Sequence, residues 1–200
     1  MIHPCLPIAG ASGHVQAGEV GPDAIRILYW YGTHRAREDN VTYTIETIRP
    51  QDDADTEALI RTCLKEFGAD HEGTAWADPF LGRLCEVYAE PGSRYWVARD
   101  ETGQVVGGVG IGPVAGDDDT CELQKMYCLG RVRGTGLAHR LLDLALDFAG
   151  SHYSRCYLET LEEMVGARRF YEKRGFVRTD EVLGDPGHFC CDIRYIKELR

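Results

Sequence analysis

The sequence predicts an α/β (α+β) domain, a mixed sheet flanked by helices, and three observations predict it. Apolar residues recur at helical spacing early in the chain, at 52–67 and 79–88. A meander of extended segments with Gly-containing turns follows, over 94–129. The remainder alternates strand, helix, strand, helix, strand, a pattern that places helices against a sheet. No internal repeat is present.

Taken in order, residues 1–40 are rich in Gly and small residues and sustain no period, so a flexible extension is expected there, with the domain proper at 41–200. Val41 to Ile48 alternates β-branched and polar residues and reads as a strand closed by Pro50. Asp52 to Phe67 reads as a helix on Ala58, Leu59, Cys63 and Phe67, with Gly68 to end it. A second helix is expected over Pro79 to Tyr88. Arg94–Arg99 and Val105–Val114 read as strands joined by the turn Asp100-Glu101-Thr102-Gly103. Gly116 and the three aspartates after it read as the next turn, and Cys121 to Leu129 as the next strand. Gly134 to Ala149 is an amphipathic helix with Leu137, Leu141, Leu142, Ala145 and Phe148 on one face. Arg155–Glu159 is a strand, Glu163–Arg174 a helix capped by Gly175, and Phe176–Val182 and Phe189–Ile196 the closing strands.

Charge narrows the function. With 22 Lys+Arg against 32 Asp+Glu, the formal charge is −10. Such a surface repels phosphate backbones, so nucleic acid is not expected as a partner, and it attracts small cations. No apolar run approaches the ~20 residues that span a bilayer. The N-terminus lacks a basic start before an apolar stretch, so no signal peptide or membrane partner is expected and the expected compartment is the cytoplasm. The eight cysteines form no metal pattern: Cys121 and Cys128 are too far apart for a knuckle, and Cys190 and Cys191 are adjacent. Reduced thiols and no metal are expected.

The segment Arg131-Val132-Arg133-Gly134-Thr135-Gly136-Leu137-Ala138 lies between an expected strand and an expected helix. Its glycines allow a sharp turn that brings backbone N–H groups to an anion, and the helix N-terminus adds a positive dipole end. Arg131 and Arg133 add charge. This is pyrophosphate-binding chemistry, but neither a dinucleotide fingerprint, since His139 stands where a third glycine is needed, nor a Walker loop.

Two segments together are more specific. Glu122-Leu123-Gln124-Lys125-Met126-Tyr127-Cys128, leading into Arg131-x-x-Gly134-x-Gly136-x-Ala138, resembles the core motif of the GNAT superfamily of N-acetyltransferases. Ala167-x-x-Phe170-Tyr171-x-x-x-Gly175-Phe176 resembles the second signature of that family, and the order of elements matches from about Val41 to Arg200. The resemblance implies a seven-stranded, mostly antiparallel sheet splayed between its fourth and fifth strands, here Cys121–Leu129 and Arg155–Glu159. It implies acetyl-CoA as cosubstrate, with the pantetheine arm beside Met126, Tyr127 and Cys128 and the pyrophosphate on Arg131, Arg133, Gly134, Thr135, Gly136, Leu137 and Ala138. The chain departs from the pattern at Gly130, where members often carry Pro, at Cys128, where an apolar residue is usual, and at Glu163 and Met164, where many have Asn.

The reaction asks for a base and an acid, because an alkylammonium has a pKa near ~10 and the leaving thiol one near ~8.5. By resemblance, Tyr171 is the acid and also touches the cofactor, and Glu122 is the base candidate. Strand alternation puts Gln124 and Met126 on the same face as Glu122. Glu159 across the splay and His188 before the final strand are further candidates on the acceptor side. An acetyl-cysteine route through Cys121 or Cys128 is a lesser alternative. The expected activity is direct transfer of acetyl to a primary amine of a small cationic molecule. Acetylation of protein N-termini or lysines, or a silent acetyl-CoA-binding module, are the alternatives, and a homodimer is left open.

Overall fold

The computed structural model describes residues 42–184 and 190–200. The expected extension at 1–40, His188 and the expected strand start at Phe189 lie outside the described residues.

The described residues form one sheet of seven strands, β1 Thr44–Thr47, β2 Arg94–Arg99, β3 Val105–Val114, β4 Asp117–Cys128, β5 Arg155–Thr160, β6 Val177–Thr179 and β7 Ile193–Glu198. Their order is β1-β2-β3-β4-β5-β7-β6. Only β4 and β5 pair in parallel; every other neighbour is antiparallel. The helices are α1 Asp53–Glu66, the short α2 Leu84–Val87, α3 Leu137–His152 and α4 Val165–Lys173.

Helix α1 has Asp53 and Asp55 in its first turn and Lys65 in its last, each favourable to the helix dipole. It buries Leu59, Ile60, Cys63 and Leu64 against Tyr95, Val97 and Val105 on one face of the sheet. Gly68 follows with φ +66°, the left-handed conformation that ends a helix. Helix α3 buries Leu137, Leu141, Leu142, Ala145 and Ala149 against Val109, Ile111 and Leu158 on the other face, where Tyr171 of α4 also packs. The parallel β4–β5 pair requires a crossover, and α3 is that crossover.

Three expectations change. The expected helix at 79–88 is a 3-10 turn, Leu81–Arg83, running into the single α-turn of α2. Asp117, Asp118 and Asp119 belong to β4, not to a turn; Ala115-Gly116 alone make the hairpin, with Gly116 at φ +82°. Asp117 is held there by Arg155 at 2.7 Å and by the Thr120 hydroxyl at 2.8 Å. The helix expected from Gly134 begins at Leu137, which leaves both glycines in the loop before it.

Candidate active site

The parallel pairing of β4 with β5 stops early. Thr120, Cys121 and Glu122 face Arg155, Cys156 and Tyr157, and the register ends there. Among the described residues, strand β4 continues to Cys128 against β3 alone. A cavity of about 310 Å³ opens in the gap, walled by Leu123 to Tyr127 on one side, by Glu159, Thr160 and Leu161 on the other, and by Tyr171 of α4.

A bulge shapes the β4 wall. Glu122 faces Gly112 and Gln124 faces Gly110, but Tyr127, not Met126, faces Gly108. One extra residue sits in β4, and Lys125 takes φ +48°. A one-residue insertion exchanges the two faces of everything beyond it. The expected mate of Glu122 at Met126 is therefore replaced by Tyr127, and Met126 packs against the α3 side of the core. The bulge is pinned twice: Lys125 pairs with Asp78 at 2.8 Å, both side chains largely buried, and the Tyr95 hydroxyl donates to the Lys125 carbonyl at 2.9 Å.

Glu122 is half-buried and lines the cavity. Gln124 Nε2 donates to its Oε2 at 2.7 Å, and the Tyr88 hydroxyl donates to Gln124 Oε1 at 2.8 Å. Burial raises the Glu122 carboxyl above the usual carboxylate range; the charge of Glu159 adds to the rise, while Gln124 and Lys125 oppose it. Glu159 also lines the cavity but is already engaged, accepting from the Tyr157 hydroxyl at 2.6 Å and pairing with Arg194 at 3.1 Å. Of the two candidate carboxylates, Glu122 carries no ion pair of its own among the described residues and Glu159 does.

Tyr171 is 8% exposed, held by the rings of Phe176 and Tyr195 at centroid distances of 5.7 and 6.5 Å, and lines the cavity. Burial raises its phenol, so it stays protonated at neutral pH. Cys128 ends β4, and the Cys63 thiol donates to its carbonyl at 3.5 Å. Burial pushes the Cys128 thiol up to about 12 and the Cys63 thiol up to about 11, so neither is a thiolate nucleophile near neutral pH.

Beyond β4 the chain makes the 3-10 turn Gly130–Val132 and enters the glycine loop. Gly134 has φ +80° and Gly136 φ +86°, both left-handed, and Gly136 stands immediately before α3. A Cβ built on either would meet nothing within 4 Å, so an anion approaches the bare backbone unobstructed. The N–H groups of the first turn of α3 have no intrahelical acceptor. These residues fit a pyrophosphate. Arg131 pairs with Asp100 at 2.9 Å and also donates to Gln104 at 2.6 Å; Arg133 pairs with Glu66 and donates to the Cys128 carbonyl at 3.0 Å. Thr135 spends its hydroxyl on the Val132 carbonyl at 2.7 Å. The side chain of Leu137 is buried in the core, so only its backbone can face a ligand; Ala138 is half-buried one position on.

The structure thus brings Glu122, Glu159, Met126, Tyr127 and Tyr171 to one cavity, with the glycine loop at the end of the same strand. Tyr88, Lys125, Arg194 and Cys191 also belong to the site or its support, and sequence reasoning missed them. One signal was available: glycines alternating at 108, 110 and 112 leave one face of β3 bare, and such a face accepts flat aromatic rings.

A family model for the acetyltransferase (GNAT) family matches residues 58–176. The chain belongs to the GNAT acetyltransferase family. The Escherichia coli (strain K12) protein called "Uncharacterized N-acetyltransferase YjgM" is 43% identical over 152 residues, covering 74% of this chain and 90% of that one. Among solved structures, a GNAT-family acetyltransferase from Staphylococcus aureus Mu50 superposes with a TM-score of 0.69 at 20% identity, over 80% of this chain and all (100%) of the other. The PaiA N-acetyltransferase from Thermoplasma acidophilum, in complex with coenzyme A, superposes with a TM-score of 0.62 at 15% identity, over 78% and 99%. The protein is accordingly an acyltransferase with the GNAT fold, and this family uses acetyl-CoA. No helix among the described residues is long and apolar enough to cross a membrane.

Proposed function

We propose that this GNAT protein transfers acetyl from acetyl-CoA directly to a primary amine of a small cationic molecule. The observation that carries the reading is the cavity between the parted strands, with Glu122 on one wall, Tyr171 on another and the glycine loop beyond. In this reading the backbone N–H groups at Gly134 to Ala138, with Arg131 and Arg133, hold the pyrophosphate. The free edge of β4 at Met126, Tyr127 and Cys128 runs beside the pantetheine arm. Bound acetyl-CoA supplies the thioester. Glu122 takes a proton from the ammonium, whose pKa near ~10 otherwise leaves little free amine. The C–N bond forms, the C–S bond breaks, the Tyr171 hydroxyl protonates the departing sulfur, and the second proton, lost from the acylated nitrogen, restores the Tyr171 phenol. Glu159, tied to Arg194, serves acceptor binding rather than proton transfer.

Size and charge support a small cation. About 310 Å³ is at the lower end of the range of small-ligand sites. The carboxylates and ammonium groups on its wall are Glu122, Glu159 and Lys125; Arg194 pairs with Glu159 and Asp78 pairs with Lys125, which leaves the charge of Glu122. An ammonium entering there meets a net negative wall.

The test is an acceptor screen with purified protein and acetyl-CoA, read by thiol release. Turnover with polyamines or aminoglycosides supports the reading. Turnover only with peptide N-termini or lysines would replace it with protein acetylation. Saturable acetyl-CoA binding without thiol release from any amine would replace it with a silent binding module.

A further inference from the structure

Strand β3 carries glycine at 108, 110 and 112, and each leaves room for one specific side chain. A Cβ at Gly110 would lie 2.7 Å from the Tyr88 ring, one at Gly108 2.7 Å from the Tyr95 hydroxyl, and one at Gly112 3.0 Å from Gln124 Oε1. The bare face is therefore filled by two tyrosines and a glutamine, with the Tyr88 and Tyr95 rings 5.1 Å apart. Both tyrosine hydroxyls bond to β4. The Tyr95 hydroxyl binds the Lys125 carbonyl at the bulge, and the Tyr88 hydroxyl binds Gln124, which binds Glu122.

We infer that Tyr88 is a positioning residue for the reaction, acting through Gln124 to present an N–H to the Glu122 carboxylate. The role rests on Glu122 as the base. The chemistry of the amide makes it directional. Gln124 has one donor end and one acceptor end. With Tyr88 donating to Oε1, Nε2 must face Glu122, which suits an ionised carboxylate. If the amide turned over, Oε1 would face the carboxylate, and only a protonated Glu122 could bond to it. The Tyr88 phenol, raised well above its ordinary value by burial, keeps its proton, and in the structure it donates that proton to Oε1. The relay thus biases Glu122 toward the form a base needs, against desolvation and against Glu159. The other titratable groups near Glu122 among the described residues are Lys125 on β4, Cys156 and Tyr157 (the register partner of Glu122) on β5, and Cys191 before β7; Gln124 bonds to Tyr88 and Glu122.

The experiment follows the Glu122 carboxyl directly, by 13C NMR titration of the full chain labelled in the Glu side chain, with Glu122→Gln assigning the resonance. Tyr88→Phe keeps the ring over Gly110 and removes only the hydroxyl. It is expected to raise the Glu122 midpoint by about half to one pH unit. Gln124→Leu is expected to raise it at least as far, and Tyr88→Phe added to Gln124→Leu to move it no further, because the pair acts as one path. A Tyr88→Phe midpoint equal to that of the parent would overturn the inference and leave Glu122 as base untouched. So would a further rise in the double variant. Full turnover by Glu122→Gln, with the best acceptor of the thiol-release screen, would overturn the base reading itself, whatever the titration shows.

Discussion

Burial keeps the Tyr171 phenol protonated, and its ring is fixed by aromatic neighbours, so its hydroxyl is the one group that a Phe substitution removes. Tyr171→Phe is expected to keep acetyl-CoA affinity and to lower turnover by ~10²-fold or more. Single-turnover kinetics at saturating acetyl-CoA check this, and an unchanged rate would reduce Tyr171 to packing. At Gly134 the argument is one of backbone. With φ +80° and open space beyond the Cα, Gly134→Asp would strain the turn and put a negative charge where phosphates are to approach. Acetyl-CoA affinity should fall by at least ~10-fold, read by calorimetry or by loss of the ligand-induced rise in Tm. Equal affinity would sink the cradle. Tyr171, Glu122 and the glycine loop were legible in sequence because each belongs to a local run. The Tyr88–Gln124 bond was not, since it spans 36 residues and no spacing rule reaches across that interval. The commitment of Glu159 to Arg194, 35 residues away, was hidden for the same reason.

Elements were legible where one physical cause dominated. Helices α1 and α3 have a continuous apolar stripe and end signals, and both fall within a few residues of the expected bounds. The region 79–88 carries apolar residues at workable spacing but has Gly82, whose Cβ would meet the Glu57 carboxylate at 2.7 Å, and close packing with α1 favours tight turns there. The three aspartates resembled a loop because Asp is poor in strands; Arg155 on β5 holds Asp117, and the Ser154 N–H donates to the Asp119 carbonyl, partners unseen in a linear reading. The bulge at Lys125 is the sharpest case. Its pins are Asp78 and Tyr95, both far away in sequence, so alternation alone assigned Met126 to the wrong face. Strand β3 gives the test at this scale. Gly110→Ala would press a methyl group into the Tyr88 ring, which is itself confined by Tyr95. Overpacking of this kind costs about 1–3 kcal/mol. A drop in Tm of several degrees, with a matching fall in activity, is expected from thermal melts. A variant as stable and active as the parent would show that Tyr88 has room to move, and that the glycines do not fix it.

Across the whole molecule the charge of −10 suggests attraction of cations, but distribution decides whether the acceptor feels it. Several acids are spent on partners of their own. Asp52 is fully buried and paired with Arg99 and Arg49, Asp53 accepts the Cys85 N–H at 2.8 Å, and Glu57 pairs with Arg61; Asp185 lies outside the described residues. What is left near the cavity is a smaller set. Asp70 and Glu72 are exposed just before Thr74, which lines it, and Asp192 is exposed just after Cys191, which also lines it. The two segments are joined, since the Cys190 N–H donates to the Gly73 carbonyl at 3.1 Å. These three carboxylates share one margin, with Glu122 inside. Exposed charges act over about a Debye length, ~8 Å at physiological ionic strength and ~3 Å at 1 M. A polyamine would therefore be drawn in by the margin at low salt and little at high salt, while proton transfer inside the cavity would be screened much less. The Michaelis constant for such an acceptor is expected to rise a few-fold between ~0.05 and ~0.5 M salt, with turnover nearly constant. Glu72→Gln with Asp192→Asn should raise that constant at low salt and flatten its salt dependence, which separates the margin from the net charge of the molecule. A salt response that survives those two substitutions would assign the attraction to the charge as a whole. A flat response in the parent, or a screen in which only neutral or acidic amines react, would remove the cationic acceptor and leave the family and the cavity as they stand.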